Sequence, residues 1–336
     1  MPKSRTNLVA ISGLVIAIAV AMAAGGVMAA EPQDKRWQAV APGRVEPCSG
    51  QIKIAIAVTG VVDKVLVKAN DKVFAGEPLI HLADSELAAR LAAAETLVAL
   101  RQRARDERSV TGSANARRKA RDAAADAELK VYGVRAIVDR VAAEWRASGG
   151  PDDSVTTART ALARAQAELT KRQEELRAVE EDSPLPTIPE GQLSIARSEY
   201  SVARSALDKM TLRAPIDGTV LQVNVRAGEL VSPGSPQPPL QLADLSALCV
   251  RAELDERDLG SVKVKQPVSV QASAFPGREF EGNVSSVAPL VERGRLEPSG
   301  SRNQTDVDVV AVMVELTGSG ELTVGMKADV YFRSVK

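Results

Sequence analysis

Few side chains in this sequence are suited to chemistry. His81 is the single histidine, and Cys48 and Cys249 are the two cysteines. His81 alternates with Ile80 and Leu82 in a strand-like run. No Ser/His/Asp set and no Cys-His dyad surrounds it, and no further ligands cluster near it as a metal would require. It reads as a histidine on a strand face. In an oxidising compartment Cys48 and Cys249 could pair. They lie in separate segments at the edges of the two β-regions, and sequence alone does not place them within bonding distance, so the reading is weighted against a disulfide. The runs Arg101–Arg108 and Arg117–Arg121 look basic, but Asp106 and Glu107 are interleaved and no aromatic is present to stack on bases. Acidic and basic residues number 43 each, leaving no net field to recruit nucleic acid. Those arginines fit a solvated helix face with i,i+4 pairs, or a face that docks a neighbouring copy. Gly60 and Gly218 lack any Walker or Rossmann context and read as turn glycines. The residues therefore predict a protein that is not an enzyme, with no catalytic, cofactor-binding or metal-binding set.

The elements around these residues are organised by an interrupted repeat. Gly60, Val62, Val65, Val67, Val73 and Gly76 recur as Gly218, Val220, Val223, Val225, Val231 and Gly234, all at an offset of 158. The copies rejoin at Leu82-Ala83-Asp84 and Leu242-Ala243-Asp244. Short strands broken by Gly and Asn turns predict two halves of a β-sandwich, half 1 at 57–84 and half 2 within 210–245. Between them, residues 85–209 carry a 3-4 seam of the coiled-coil kind. Its members run from Leu87, Leu91 and Val98 through Val131, Val138 and Trp145, then Val155, Leu162, Leu169, Leu193 and Leu207. Ser148-Gly149-Gly150-Pro151-Asp152-Asp153 is the strongest turn signal of that region, and breaks at 109–113 and 182–191 are equidistant from its two ends. This spacing predicts one antiparallel hairpin with its tip at 145–154, each arm about 60 residues or ~90 Å if continuously helical.

Strand-like runs at 247–253, 268–274, 279–287, 307–316 and 327–333 predict a small β-barrel over 246–336, with a mobile loop at 289–306. Residues 31–56 read as linker, polar through 44 and holding Pro42, followed by first strands from Val45. Aromatics at 3% argue against one large aromatic core. The fold class expected is mainly β with a long α-helical coiled-coil hairpin, a split lipoyl-like β-sandwich and a small β-barrel. At the N-terminus, Lys3 and Arg5 precede the uncharged apolar stretch Leu8–Val27. That matches the ~20 residues that span a bilayer. Residues 1–30 read as a retained signal-anchor with the bulk of the chain outside the cytoplasm; cleavage after Ala29 or Ala30 is the other reading.

Asp208-Lys209-Met210 resembles the sequence around the modified lysine of lipoyl and biotinyl carriers. Carriers display that lysine on a tight turn between their halves, whereas here the helical insert occupies that place, so Lys209 reads as a cation closing a helix. The longer run Leu207–Val220, with Thr211-Leu212-Arg213-Ala214-Pro215 at its centre, resembles the re-entry motif of HlyD-like periplasmic adaptors, the membrane fusion proteins. Gly260–Val270 resembles that family's barrel segment and Leu322–Val330 its closing strand. Gly43–Pro47 together with Asp306–Leu316 is most similar to the adaptor of heterocyst-glycolipid ABC exporters. The resemblance implies an adaptor held in the inner membrane by one N-terminal anchor, with its bulk in the periplasm. Its implied partners are an ABC transporter, a TolC-like outer-membrane channel and further copies of itself in a hexamer. It also implies that the hairpin tip docks the channel. The tip expected here comprises Trp145, Arg146, Ser148, Gly149, Gly150, Asp152 and Asp153. The family's R-x3-L-x6-S spacing has no clean match there but fits Arg172, Leu176 and Ser183, the rival docking motif. Two other readings remain: a lipoyl- or biotinyl-type carrier, and an envelope spacer without a transporter.

Overall fold

The computed structural model describes residues 37–149, 152–181, 186–294, 308–318 and 321–334. The expected anchor at 1–30 lies outside them, and no helix among the described residues is long and apolar enough to cross a membrane. The first strand, β1 (Trp37–Pro47), corrects the reading of residues up to 44 as linker. It runs straight through Pro42, and its inward positions are the small Ala39, Ala41 and Gly43 followed by Val45. Ala, Gly and Pro are poor strand formers by propensity. They are used here because the interior is tight: a Cβ on Gly43 would sit 2.6 Å from Val250 Cγ1.

The chain next lays down half 1 of the sandwich as β2 (Ile52–Ile54), β3 (Gly60–Val65), β4 (Lys72–Val73) and β5 (Pro78–Leu82). Four helices follow: α1 (Ser85–Asp106), α2 (Ser113–Ser148), α3 (Asp152–Glu181) and α4 (Ile188–Asp208). Half 2 comprises β6 (Thr211–Arg213), β7 (Gly218–Val223), β8 (Leu230–Val231) and β9 (Leu240–Ala243). The two sheets are ordered β2-β9-β7-β4 and β6-β5-β3-β8.

The repeat holds at the level of single hydrogen bonds. β3 of half 1 pairs with β8 of half 2 through Gly60 and Val231, and β4 of half 1 pairs with β7 of half 2 through Val73 and Gly218. Each half thus donates its glycine to the other half's valine. Asn70 N–H donates to Val220 C=O, and its counterpart Gly228 N–H donates to Val62 C=O, both at 2.8 Å. The left-handed conformation is shared too, with φ 73° at Asn70 and 88° at Gly228. Val62, Val220, Leu82 and Leu242 are buried at the centre.

From half 2 the chain passes to β10 (Leu248–Asp255), a short 3-10 helix (Glu256–Ser261), β11 (Pro267–Ala272), β12 (Phe280–Arg293), β13 (Asp308–Leu316) and β14 (Lys327–Arg333). With β1 they close a barrel in the order β1-β10-β13-β12-β11-β14, filled by Val250, Val270, Val312, Val330 and Phe332. The loop expected to begin at 289 is corrected: β12 continues to Arg293. A register shift between Val287 and Val291 accommodates Pro289. Residues 295–307 lie outside the described set.

β1 and β10 are hydrogen-bonded neighbours although the whole sandwich and arm lie between them in sequence. Their junction is closed by a disulfide between Cys48 and Cys249, a sequence separation of 201. This overturns the expectation of unpaired thiols. The pairing of Glu46 with Cys249, and the Cys48 N–H bond to Ala247 C=O, bring the two sulfurs together. That meeting depends on the pairing of β1 with β10, which strand-like residues from Val45 onward do not by themselves reveal. The molecule is thus a nest of insertions: the sandwich interrupts the barrel, and the helices interrupt the sandwich.

Candidate docking surfaces

The long helical hairpin is present, in four segments and doubled back. α1 packs antiparallel to α4, and α2 to α3. At 1.5 Å per residue α1 carries the chain outward about 33 Å. The chain then reverses through Glu107–Gly112, where Gly112 has φ 66°. α2 returns along the sandwich, and α3 goes out again. A break in a 3-4 seam reads the same whether the helix kinks or reverses, which is why the periodicity pointed to one extended hairpin.

The residues expected at the tip therefore sit against the base. The Trp145 ring packs edge-on against Phe74, centroids 5.0 Å apart. Arg146 donates to Leu66 C=O at 2.7 Å and to the buried Glu77 carboxylate. Glu77 also accepts from Phe74 N–H, which fixes the turn that presents both residues. Arg159 of α3 donates to Asp217 at 3.0 Å and lies over the Phe74 ring. Asp139 of α2 receives both guanidinium arms of Arg213. Burial works to raise the Asp217 carboxyl, but the Ala75 N–H and Arg159 outweigh it and hold it below its ordinary value. Of the remaining tip residues, Ser148 hydroxyl bonds Glu144 C=O and Gly149 caps α2 in the left-handed conformation. Asp152 opens α3 and Asp153 is exposed. Gly150 lies outside the described residues.

The free end of the arm, remote from the sandwich, is built from charge. Asp122 of α2 receives Arg105 of α1 at 2.7 Å and Arg197 of α4 at 2.9 Å, so one carboxylate ties three helices. Burial works to raise its pKa, and the two guanidinium groups outweigh burial and lower it. Glu190 receives Arg117 at 2.9 Å and the Thr187 N–H at 2.9 Å, so it caps α4 and bridges to α2 at once. Burial opposes its ionised form too, yet the Thr187 N–H and Arg117 lower it. Between these pairs lies a cleft of about 390 Å³ that Leu176 and Arg121 help to line. Arg172, of the rival motif, sits on α3 between Glu168 and Glu175 at 2.7 and 2.8 Å. Leu176 is one turn beyond it, and Ser183 lies outside the described residues. The sequence reading passed over the Phe74/Glu77 turn and Asp122. The one signal available was the departure of half 2 from half 1 at the turn, where Ser232 and Ser235 stand for Phe74 and Glu77.

The residues weighed for other chemistry are placed plainly. Lys209 is the exposed C-cap of α4, its N–H bonded to Ser205 C=O, with no turn between half-sandwiches to display it. His81 lies on β5 with Nε2 3.3 Å from Asp84. No group of three or more potential ligands for a metal occurs among the described residues.

Comparison with known proteins agrees with this architecture. The family model described as the CusB barrel-sandwich hybrid domain matches residues 53–237, more than half of the chain, and the YknX-like β-barrel domain matches 248–331. The multidrug resistance protein MdtN of Escherichia coli O157:H7 is 30% identical over 250 residues, covering 72% of this chain and 68% of that protein. The macrolide export protein MacA of Yersinia pestis is 29% identical over 105 residues, 31% of this chain and 28% of that protein. A membrane protein of Acidithiobacillus ferridurans, encoded in the asrC 5′ region, is 33% identical over 144 residues, 41% of this chain and 39% of that protein. The chain thus spans well under half the length of several of its relatives. The crystal structure of MacA from Actinobacillus actinomycetemcomitans shares the fold at a TM-score of 0.51 and 20% identity, covering 88% of this chain and 79% of that one. With its nested sandwich and barrel matched in order along the sequence, the chain belongs to the membrane fusion protein family of periplasmic adaptors.

Proposed function

We propose that this protein is the periplasmic adaptor of a tripartite exporter. Residues 1–30 anchor it in the inner membrane, and the bulk of the chain stands in the periplasm. The barrel faces an inner-membrane transporter of the ABC type, the sandwich packs against further copies in a hexameric ring, and the arm meets a TolC-like channel. The observation that carries this reading is the polarity of the nest. The N-terminal chain enters the barrel at the Trp37 end of β1, while sandwich and arm leave from the Pro47 end, at Cys48. The two ends of β1 thereby serve different neighbours: Trp37 follows residues 1–36 in the sequence, and Pro47 leads to the sandwich and the arm. The docking end is then the free end of the arm, Glu107–Gly112 with Arg172 and Leu176, because Trp145 and Arg146 are engaged by the sandwich. Among ABC exporters, the heterocyst-glycolipid type is the one we favour, on the similarity of Gly43–Pro47 and 306–316.

Affinity purification of the tagged chain from cross-linked membranes, with mass spectrometry of what is recovered, tests the assignment. An ABC permease and a TolC-like channel are the expected partners. Recovery of soluble acyltransferase or dehydrogenase subunits with a lipoyl mass on Lys209 would overturn it, and recovery of neither transporter nor channel would leave the envelope spacer.

A further inference from the structure

The exposed large apolar residues of the barrel gather at one end. Val40 is 50% exposed, Val264 54%, Leu290 59% and Val291 44%. All four lie on the half of the barrel opposite the disulfide neck. Val40 stands beside Tyr331 near the start of β1. Val264 is in the turn that leads into β11, where Lys265 N–H bonds Val284 C=O and Gln266 bonds Arg333 C=O. Leu290 and Val291 are on the far stretch of β12, which pairs with the first residues of β13. Trp37 and Tyr331 add an aromatic pair at the same end, ring centroids 5.2 Å apart. Val264 is the tip of an exposed Lys263-Val264-Lys265 turn that Lys265 holds at φ 70°. Of the other charges nearby, Arg257 pairs with Asp255 at 2.7 Å, Arg251 with Glu292 at 3.6 Å and Arg333 with Glu281 at 3.4 Å, and the 3-10 helix before the turn carries the acidic Glu256 and Asp258.

We infer that this rim of the barrel seats on the lipid bilayer surface, its apolar side chains entering the headgroup region and Lys263 and Lys265 meeting anionic headgroups. Two observations select lipid as the occupant. An apolar tip flanked by cations, beside Trp and Tyr, matches the chemistry of a membrane interface, where amphipathic rings sit at headgroup level and lysines reach phosphate. The chain outside the structure supplies the second. Only nine residues separate Val27, the end of the uncharged apolar stretch, from Trp37. Even fully extended they reach no more than about 35 Å. The inference rests on the reading of residues 1–30 as an anchor, and gives the barrel a second, peripheral attachment.

The test uses the full chain with Trp145→Phe, which leaves Trp37 as its single tryptophan. The protein is reconstituted into vesicles of phosphatidylethanolamine and phosphatidylglycerol with brominated acyl chains. Trp37 emission should be quenched, more by bromine near the headgroup than by bromine near the chain ends. Adding Val264→Glu and Leu290→Glu, both exposed positions, should abolish the quenching while the protein still floats with the vesicles. Flotation without quenching, or quenching indifferent to the two glutamates, would overturn the inference and leave the anchor standing. Failure to float would remove the anchor and the inference together.

Discussion

The turns at 74–77 and 232–235 hold equivalent places in the two half-sandwiches, and each closes with a bond from its fourth residue to the carbonyl of its first. The first carries Phe74 and Glu77 and grips α2 and α3. The second carries Ser232 and Ser235 and stands exposed, beside a Leu230 that is also largely exposed. A duplicated backbone therefore does not imply a duplicated role. The hydrogen bonds the halves exchange are made by main chain and tolerate sequence drift, whereas the grip depends on two side chains present in one copy. Such a sandwich can hold its arm to one side while the opposite turn stays open.

The largest effect should come from breaking the grip. Glu77→Ala leaves Arg146 against the sandwich without its carboxylate, at a cost of about 3 kcal/mol by analogy with broken buried ion pairs. Urea unfolding followed by circular dichroism checks it, and a midpoint equal to that of the parent protein would mean that the contact contributes nothing. Next, the paired glycines should differ. A Cβ at Gly218 meets Ala243 C=O at 2.6 Å, whereas at Gly60 it meets the Leu82 Cδ1 at 3.2 Å. A carbonyl yields less than a side-chain methyl, so Gly218→Ala should cost about 2 kcal/mol and Gly60→Ala roughly 1 kcal/mol. Equal losses in thermal melts would show that the halves are packed alike after all.

Acid should separate grip from sandwich more gently. Asp217, Asp122 and Glu190 all lie below their ordinary values of 3.8, 3.8 and 4.5. A carboxyl more acidic in the folded state lends stability that is complete above its unfolded value and drains as pH falls through the folded one. Below about pH 4 the helices should therefore loosen from each other and from the sandwich, whose own bonds are main chain. Amide exchange measured along the chain would reveal the order; simultaneous loss would count against it. The smallest effect is a designed null. Ser232→Phe with Ser235→Glu copies the gripping pair onto the open turn, where no helix lies, and should change stability by less than about 0.5 kcal/mol.

Much of this architecture was legible in the residues. The offset of the repeat led to the crossed pairing of Gly60 with Val231 and Gly218 with Val73, and the barrel strands from 247 onward follow period-2 alternation. Three features escaped for physical reasons. β1 hides because a tight barrel interior selects Ala39, Ala41 and Gly43, which carry no strand propensity. The disulfide could not be foreseen without β1, since the pairing with β10 is what brings Cys48 to Cys249. The folded-back arm was misplaced because helical period reports which face of a helix is covered and is silent about direction of travel. Only the long-range partners of Trp145 and Arg146 settle that.

The closed neck has a mechanical consequence. A pull on the arm reaches the barrel through two strands at once, β1 and β10, and the Cys48–Cys249 bond makes them one covalent link. If the far end of β1 is held, the pull that enters by β1 runs along its own backbone, and the pull that enters by β10 crosses to β1 through their ladder bonds, which are loaded side by side in shear. Peeling would break them one after another; shear requires them to fail together. The disulfide bars the strand separation at the neck from which peeling would start, so the barrel can serve as a strain-bearing coupling between a fixed base and a moving load.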